Sequence, residues 1–594
     1  MHLTRLPRRN LETLQSALAG RRVGLYPADF GRFNASLASL LRGIDVTAVY
    51  LPMDHHRDHG FTPRRDLDDF FRDIDAILLL GVDDLACEIQ RRAREPGREI
   101  AVIDALNPNE PRGLLYNGRL TIRVFEELLA AGADLERYGL AGEHLAANAA
   151  AAAPDSPDAP DGLDGLSLFE RRIVMDRKAR AVCPVCGETC RTTRSFVAPH
   201  PSHQYYLIFY HFQCHGEFFL VRDPFRMVAH YFPEKELFIT MLRPGDVQLP
   251  MSYNAVQIAR LLTSLKTYLL YYLDLAESYR NDGGATLVAG LTGAFESLGH
   301  HMRNEIAGVR QIVASGLAAN VDRWIVDKYD YLDIGAVFPE LSGLRSIEAK
   351  DDKRRATEIF SFVLQSRSCA FFPFYSGLLT GALARLLKEN YVDRKVTLPT
   401  HEEASLALSR HWPLIWISLR DKRGWTSQAE GLANIINALS EDYPDLGVVF
   451  DGLPDMAPVF KAIAAKLTPR AGVFNALHKR IADSYYWAFC VDLHLSPHGN
   501  TTTFTTLANV PGVVHSNAAF LDLYAERLGG GLVCPNPREN PAPCLAVYPV
   551  AETAEANLYL RDYELDWREA LEAVKRLLAM LPRRDLGRKS TPGG

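Results

Sequence analysis

The amino-acid sequence predicts a multidomain α/β protein built around two parallel-sheet lobes in its C-terminal part, and three observations carry that expectation. Short apolar runs of strand type alternate with helix-type periodicity near the N-terminus and again beyond residue 285, the pattern of parallel βαβ units. An Ala-, Pro- and Asp-rich stretch at 146–165 interrupts the alternation; it cannot bury apolar surface and reads as a flexible linker. A buried-type strand, Pro413-Leu-Ile-Trp-Ile-Ser-Leu419, runs straight into the cations Arg420, Lys422 and Arg423, at the strand end where open α/β sheets bind phosphorylated ligands.

Composition bounds the rest. A chain of 594 residues exceeds one core and implies roughly three to five domains. Its 47% hydrophobic and 23% charged content is ordinary for a soluble globular protein. A net charge of -6 with no dominant Lys/Arg stripe gives no reason to expect nucleic acid as a partner. The basic N-terminus lacks the apolar core of a signal peptide. Thr267-Tyr-Leu-Leu-Tyr-Tyr-Leu273 is cut off by Asp274, short of the roughly eighteen apolar residues of a membrane span. Nine cysteines, four of them between Cys183 and Cys214, do not form a disulfide framework, so a reducing cytoplasm is the expected compartment.

Residues 1–115 read as a Rossmann-like domain with strands at 23–26, 46–51, 76–80 and 100–103. Its first strand–helix turn, Tyr26-Pro-Ala-Asp-Phe-Gly31, has one glycine where a dinucleotide fingerprint wants three, which favours a docking or vestigial role. Asp54-His-His-Arg-Asp-His59 is rich in histidine, but its spacing is too tight for a helical His-x-x-x-His site, and it reads as a solvated loop. Residues 116–165 carry helical periodicity and then the linker. Residues 166–245 form a β-rich module opened by the knuckle Cys183-Pro-Val-Cys-Gly187. Two thiolates in such a turn grip one zinc ion, and Cys190 and Cys214 complete a set of four; His211 and His215 flank Cys214 and offer alternatives. The competing reading is a β-rich module with buried free thiols. In both, the site is closed and structural.

Residues 246–400 form the first lobe. A strand near 285–289 leads into Ser297-Leu-Gly-His-His-Met-Arg-Asn-Glu305. On a helix, His300 shares a face with Asn304, and His301 with Glu305. Two imidazole–polar pairs at a strand end suit the orientation and deprotonation of a hydroxyl, with His300, His301 or Glu305 as the base. Residues 401–594 form the second lobe. Arg420 and Arg423 offer bidentate contacts to phosphate and Lys422 a mobile charge. Ser496-Pro-His-Gly-Asn-Thr-Thr502 supplies His498, Gly499, Asn500, Thr501 and Thr502 as ligand contacts. Val513-Val-His-Ser-Asn517 supplies Asn517 and His515, the latter equally readable as a core histidine. Asp451, after the strand at 446–450, contacts a nucleoside or caps a turn.

Two α/β lobes with polar loops at facing strand ends resemble the GT-B architecture. Gly299-His-His-x-x-Asn-Glu305 resembles the first-lobe histidine motif of glycosyltransferase family sixty-one and related bacterial polysaccharide glycosyltransferases. Ser418-Leu-Arg-Asp-Lys-Arg423 resembles that family's Arg-rich turn, and the 496–502 loop its His-Gly-Ala-Gly-Leu-Thr loop. Asn500 and Thr501 stand where the family has Ala-Gly, and its arginine pair is reduced to Arg420. The resemblance, over about 285–550, implies transfer of a sugar from a nucleotide-sugar donor to a glycan or other hydroxyl acceptor, with inversion, in polysaccharide or glycoconjugate synthesis. Neither lobe contains Asp-x-Asp (Asp73-Ile-Asp75 lies in the N-terminal domain), so no catalytic metal or cofactor is expected. The N-terminal half would select the acceptor or dock to a polysaccharide-assembly complex. Two alternatives are a non-catalytic scaffold binding nucleotide sugar or glycan, and a pyruvyl-type transferase.

Overall fold

The computed structural model describes residues 2–26, 44–50, 63–64, 66–80, 84–96, 100–106, 120–131, 135–152, 166–199, 206–224, 227–241, 255–281, 286–348, 352–374, 379–468, 470–527, 540–554, 561–584 and 586. The turn after the first strand, the histidine-rich loop at 54–59 and residues 153–165 of the expected linker lie outside them; its residues 146–152, expected to be flexible, instead end the helix Gly142–Ala152, because their alanines are strong helix formers. Among the described residues, no helix is long and apolar enough to cross a membrane.

The N-terminal strands β1 (Val23–Tyr26), β2 (Val46–Tyr50), β3 (Pro63–Arg64), β4 (Ala76–Leu79) and β5 (Ala101–Asp104) form a parallel sheet in the order β3-β2-β1-β4-β5. Every residue of β1 and β4 is buried, as expected where apolar layers cover both faces of a parallel sheet. One layer includes Phe70, Phe71 and Ile74. The other joins Leu14 and Leu18 to Leu270, Tyr271 and Leu273, which tie this domain to the helical pair that follows the β-rich module.

That module begins earlier than the sequence pattern indicates. The stretch 120–150 reads as helical, yet it opens with strand β6 (Thr121–Val124) before the helices Phe125–Ala131 and Gly142–Ala152. Thr121, Ile122 and Val124 are β-branched, and such a short run takes its conformation from its partner. The hairpin β7 (Ala179–Val182) and β8 (Thr189–Thr192) carries the cysteine knuckle between its strands. Strands β9 (Ser195–Pro199), β10 (Tyr206–Gln213), β11 (Glu217–Arg222), β12 (Met227–Phe232) and β13 (Leu237–Thr240) form an antiparallel meander, and β6 adds to it in parallel beside β13. Buried Asn148 holds the second helix down by exchanging hydrogen bonds with both backbone groups of Val182, at 2.7 and 2.9 Å.

The first lobe is a parallel sheet of β14 (Leu287–Thr292), β15 (Arg323–Val326), β16 (Leu344–Ser346) and β17 (Ser368–Phe371), in the order β16-β15-β14-β17. It shares one hydrophobic core with the β-rich module. Three tyrosines stitch the shared core with polar tips: Tyr210 donates to the Ala370 carbonyl at 2.8 Å, Tyr279 to the Ser368 carbonyl at 2.7 Å, and Tyr206 to the Asp327 carboxylate at 2.8 Å. The module is therefore a wall of the first lobe rather than a separate bead.

The second lobe is a parallel sheet of β18 (Leu414–Ser418), β19 (Gly447–Asp451), β20 (Gly472–Asn475), β21 (Leu493–Pro497), β22 (Gly512–His515) and β23 (Cys544–Val547), in the order β20-β19-β18-β21-β22-β23. The chain returns through β24 (Ala551–Glu552) and β25 (Tyr563–Glu564) to the helix Trp567–Leu578. Ala570, Leu571, Ala573, Val574, Leu577 and Leu578 are its buried face, at the spacing of one helix stripe. Order reverses between β18 and β21, and at such a switch point the strand ends open a crevice.

Candidate active site between the two lobes

On the first-lobe side, β14 ends at Thr292 and the chain turns at Gly293 (φ +67), where an added Cβ would meet the Asp327 carbonyl at 2.6 Å. Ser297 caps the next helix by accepting from the His300 N–H at 3.4 Å. The helix widens into a π-helical turn over His301–Ile306 before regular α-helix resumes; such bulges re-aim side chains and recur at functional sites. Both expected pairs form. His300 Nδ1 lies 3.1 Å from Asn304 Oδ1, and His301 Nδ1 lies 2.7 Å from Glu305 Oε2.

Their surroundings differ. His301 and Glu305 are 0% and 1% exposed. Glu305 also accepts from the N–H groups of Gly293 and Ala294 at 3.1 and 3.2 Å, and His301 Nε2 lies 3.5 Å from Asp330 Oδ1 at the tip of β15. Burial alone would push the His301 imidazole down, but Asp330 and Glu305 outweigh it and hold it at about 9. Burial pushes the Glu305 carboxyl up against the pull of His301 and the two N–H groups. The shared proton belongs on the imidazole, which has a carboxylate at each nitrogen. His300 is exposed at the turn, and the protein atoms crowded around its ring shift its imidazole down, with Asn304 opposing and Arg303 adding to the shift. Donation from Nδ1 to Asn304 Oδ1 makes Nε2 the accepting nitrogen.

On the second-lobe side, Ser418 Oγ and Ser496 Oγ, 3.1 Å apart, pin the ends of β18 and β21 together. The turn after β18 puts Arg423 in the left-handed region (φ +52). Arg420 donates to the carbonyls of His498 (Nη1, 3.1 Å) and Lys422 (Nε, 2.8 Å). Arg423 is buried, reaches the same His498 carbonyl at 3.5 Å and lies 4.0 Å over the Phe520 ring. An added Cβ on Gly499 (φ +137) would stand 2.7 Å from Arg420 Nη1 and 2.9 Å from Arg423 Nη2, so only glycine lets both guanidiniums flank this backbone. Lys422 is exposed on the turn, and Thr501 lies in the short turn Asn500–Thr502.

One loop brings the two sides together. Asn500 Oδ1 accepts from Ser297 Oγ at 2.9 Å, and Thr502 Oγ1 accepts from Arg303 Nη2 at 3.4 Å. Gly299 lies against the same loop, where an added Cβ would meet Asn500 Oδ1 at 2.6 Å. Asn500, a departure from the resembled family's small residue, is thus one of the residues that touch the opposite lobe. The sequence pattern did not single out Ser297, Arg303, Asp330 or Phe520, all ordinary residue types on loops and helix faces. The serine three residues before His300 carried the only legible signal, as an N-cap.

Other expected residues have side chains engaged elsewhere, although the His515 carbonyl accepts from the His498 N–H of this loop at 2.8 Å. His515 is buried, paired with the Tyr563 hydroxyl at 2.7 Å, and pushed down to about 3 by burial, with Arg420 and His494 adding to it. Asn517 is buried, and its side chain accepts from the Phe520 N–H at 2.9 Å as a helix cap. Asp451 is buried at the end of β19, and burial raises its carboxyl to about 7 against the Gly452 N–H. Of the expected metal ligands, Cys183, Cys186 and Cys214 converge with His215, while Cys190 is buried on β8 with its thiol 3.8 Å from the Glu188 carbonyl.

No family model matches the chain, and no curated protein matches it. Among solved structures, a glycosyl transferase family 9 protein from Veillonella parvula DSM 2008 aligns with 51% of this chain and 100% of its own at 13% identity and a TM-score of 0.32. The E. coli ADP-heptose lps heptosyltransferase II aligns with 50% of this chain and 99% of its own at 11% identity and a TM-score of 0.31. TarM aligns with 94% of this chain and 92% of its own at 6% identity and a TM-score of 0.21. At these scores no function passes across the likeness.

Proposed function

We propose that the protein is a glycosyltransferase of GT-B type that moves a sugar from a nucleotide-sugar donor to a glycan or other hydroxyl acceptor. The observation that supports it best is that the helix start leading into His300, at Ser297 and Gly299, and a second-lobe pair of guanidiniums abut the same interlobe loop, 498–502. Departure of a nucleoside diphosphate builds negative charge, which prepositioned cations stabilise. Arg420 uses two of its N–H donors on carbonyls and, with five in a rigid fork, has others to offer a diphosphate. Lys422 adds a mobile charge. Neutral His300 is the general base that takes the acceptor proton at Nε2, Asn304 fixes its tautomer, and His301 with Glu305 positions the turn. Direct in-line attack by the hydroxyl inverts the anomeric carbon. Asp451 stands at a neighbouring strand end for the nucleoside.

The test is release of nucleoside diphosphate from UDP-, GDP- and dTDP-sugars, with and without a glycan acceptor, for the unmodified chain and Arg420→Ala. Loss of a charge-assisted contact worth about 1.5–3 kcal/mol lowers kcat/KM for the active donor about 10- to 100-fold. Turnover of phosphoenolpyruvate with none of any nucleotide sugar would replace this reading by a pyruvyl transferase. Binding without turnover of either would leave a scaffold.

A further inference from the structure

Away from the cleft, the tips of two hairpins meet. Cys183 and Cys186 lie on the knuckle between β7 and β8, and Cys214 and His215 lie on the turn between β10 and β11. One ligand-type atom from each of these four residues falls in a group whose members are all within 4.8 Å of one another. The spacings within it are informative. Cys186 Sγ and Cys214 Sγ are 3.7 Å apart, far beyond the S–S bond of about 2.05 Å but close to the edge of about 3.8 Å of a tetrahedron with zinc–sulfur bonds of about 2.3 Å. Cys214 Sγ and His215 Nδ1 are 3.3 Å apart, near the shorter sulfur–nitrogen edge.

The backbone is arranged for thiolates. Gly187 (φ +78) closes the knuckle by donating to the Cys183 carbonyl at 3.0 Å, and an added Cβ there would strike His144. N–H groups of Cys186, Val185 and His215 point at the Cys183 sulfur, and that of Glu188 at the Cys186 sulfur. Such donors favour a charged sulfur over a neutral one.

We infer that Cys183, Cys186, Cys214 and His215 bind one zinc ion in a closed tetrahedral site, with His215 rather than Cys190 as the fourth ligand. Cys190 lies beside Cys183 and Cys214 but falls outside the group of mutually close ligand atoms. Binding releases the thiol protons and clamps two hairpins that belong to separate sheets. Because β10 also carries Tyr206 and Tyr210 into the first lobe, the metal braces the wall of that lobe and takes no part in transfer.

The unmodified full chain, expressed with zinc in the medium, is assayed for metal by mass spectrometry and for ligand type by X-ray absorption at the zinc edge. About one zinc per chain is expected, with a shell of three sulfurs at about 2.3 Å and one nitrogen at about 2.0–2.1 Å. Under a fixed chelator challenge, His215→Ala should lose its zinc at least about tenfold faster than the unmodified chain, as loss of a metal contact implies, while Cys190→Ser keeps it. A folded chain that holds no zinc after reconstitution overturns the site. A four-sulfur shell, or zinc lost from Cys190→Ser and kept by His215→Ala, overturns the assignment of His215. The absorption measurement needs no variant and stands if either substitution fails to fold.

Discussion

Two imidazole pairs sit side by side on the same turn, with the same four-residue spacing and opposite circumstances. His300 is exposed, is shifted toward the neutral form and leans on an amide. His301 is sealed in the core, is shifted toward the charged form and is gripped by carboxylates on both ring nitrogens. The difference teaches that spacing sets which side chains meet, while burial and the charge of the partner set what the pair can do. A base must meet its substrate in the neutral form. A buried ion pair fixes backbone, here by tying the π-helical turn to Gly293 and Ala294 at the end of β14.

Substitution breaks the comparison most directly. Loss of the general base in His300→Ala should lower kcat by about 10²–10⁴-fold with little change in the denaturation midpoint. A variant within a few-fold of full activity would remove His300 from the chemistry. Glu305→Gln should do the reverse, costing about 3–5 kcal/mol of stability by stranding a buried charge, read from urea unfolding. An unchanged midpoint would mean that the His301 pair carries no structural weight.

The pH dependences sharpen the same contrast. His301 has a folded pKa raised from 6.5 to about 9, so its stabilisation is complete below 6.5 and is lost as pH rises through about 9. His300 is shifted down from 6.5, so the acid limb of kcat/KM should fall below that value. Stability should thus decline on the alkaline side while activity fails on the acid side. An acid limb above 6.5, or stability that rises between 6.5 and 9 and stays level in Glu305→Gln, would merge the two pairs into one titrating unit.

Part of this was readable in the chain. Pro413-Leu-Ile-Trp-Ile-Ser-Leu419 is apolar but for Ser418 because β18 is covered on both faces, and the cations follow at its end. The helical spacing at 300–305 was legible for the same local reason. Which imidazole meets water was not, because it depends on Asp330, which reaches His301 from another strand end. Nor was strand β6, whose four residues are fixed by pairing with β13. The contact of Ser297 with Asn500 spans 203 residues of sequence, and no local pattern encodes such a meeting. Asn500, standing where the resembled family has a small residue, is a bridge between the lobes.

That bridge makes the loop at 498–502 a shared bearing surface. One flank seats both guanidiniums on the His498 carbonyl and the bare Gly499 backbone. The other abuts Gly299 and Ser297, with no room for a methyl group at Gly299. The separation of the lobes and the seating of the cations are therefore not independent coordinates. A shift of this short loop moves both at once, so the cations and this interlobe contact share the same few atoms.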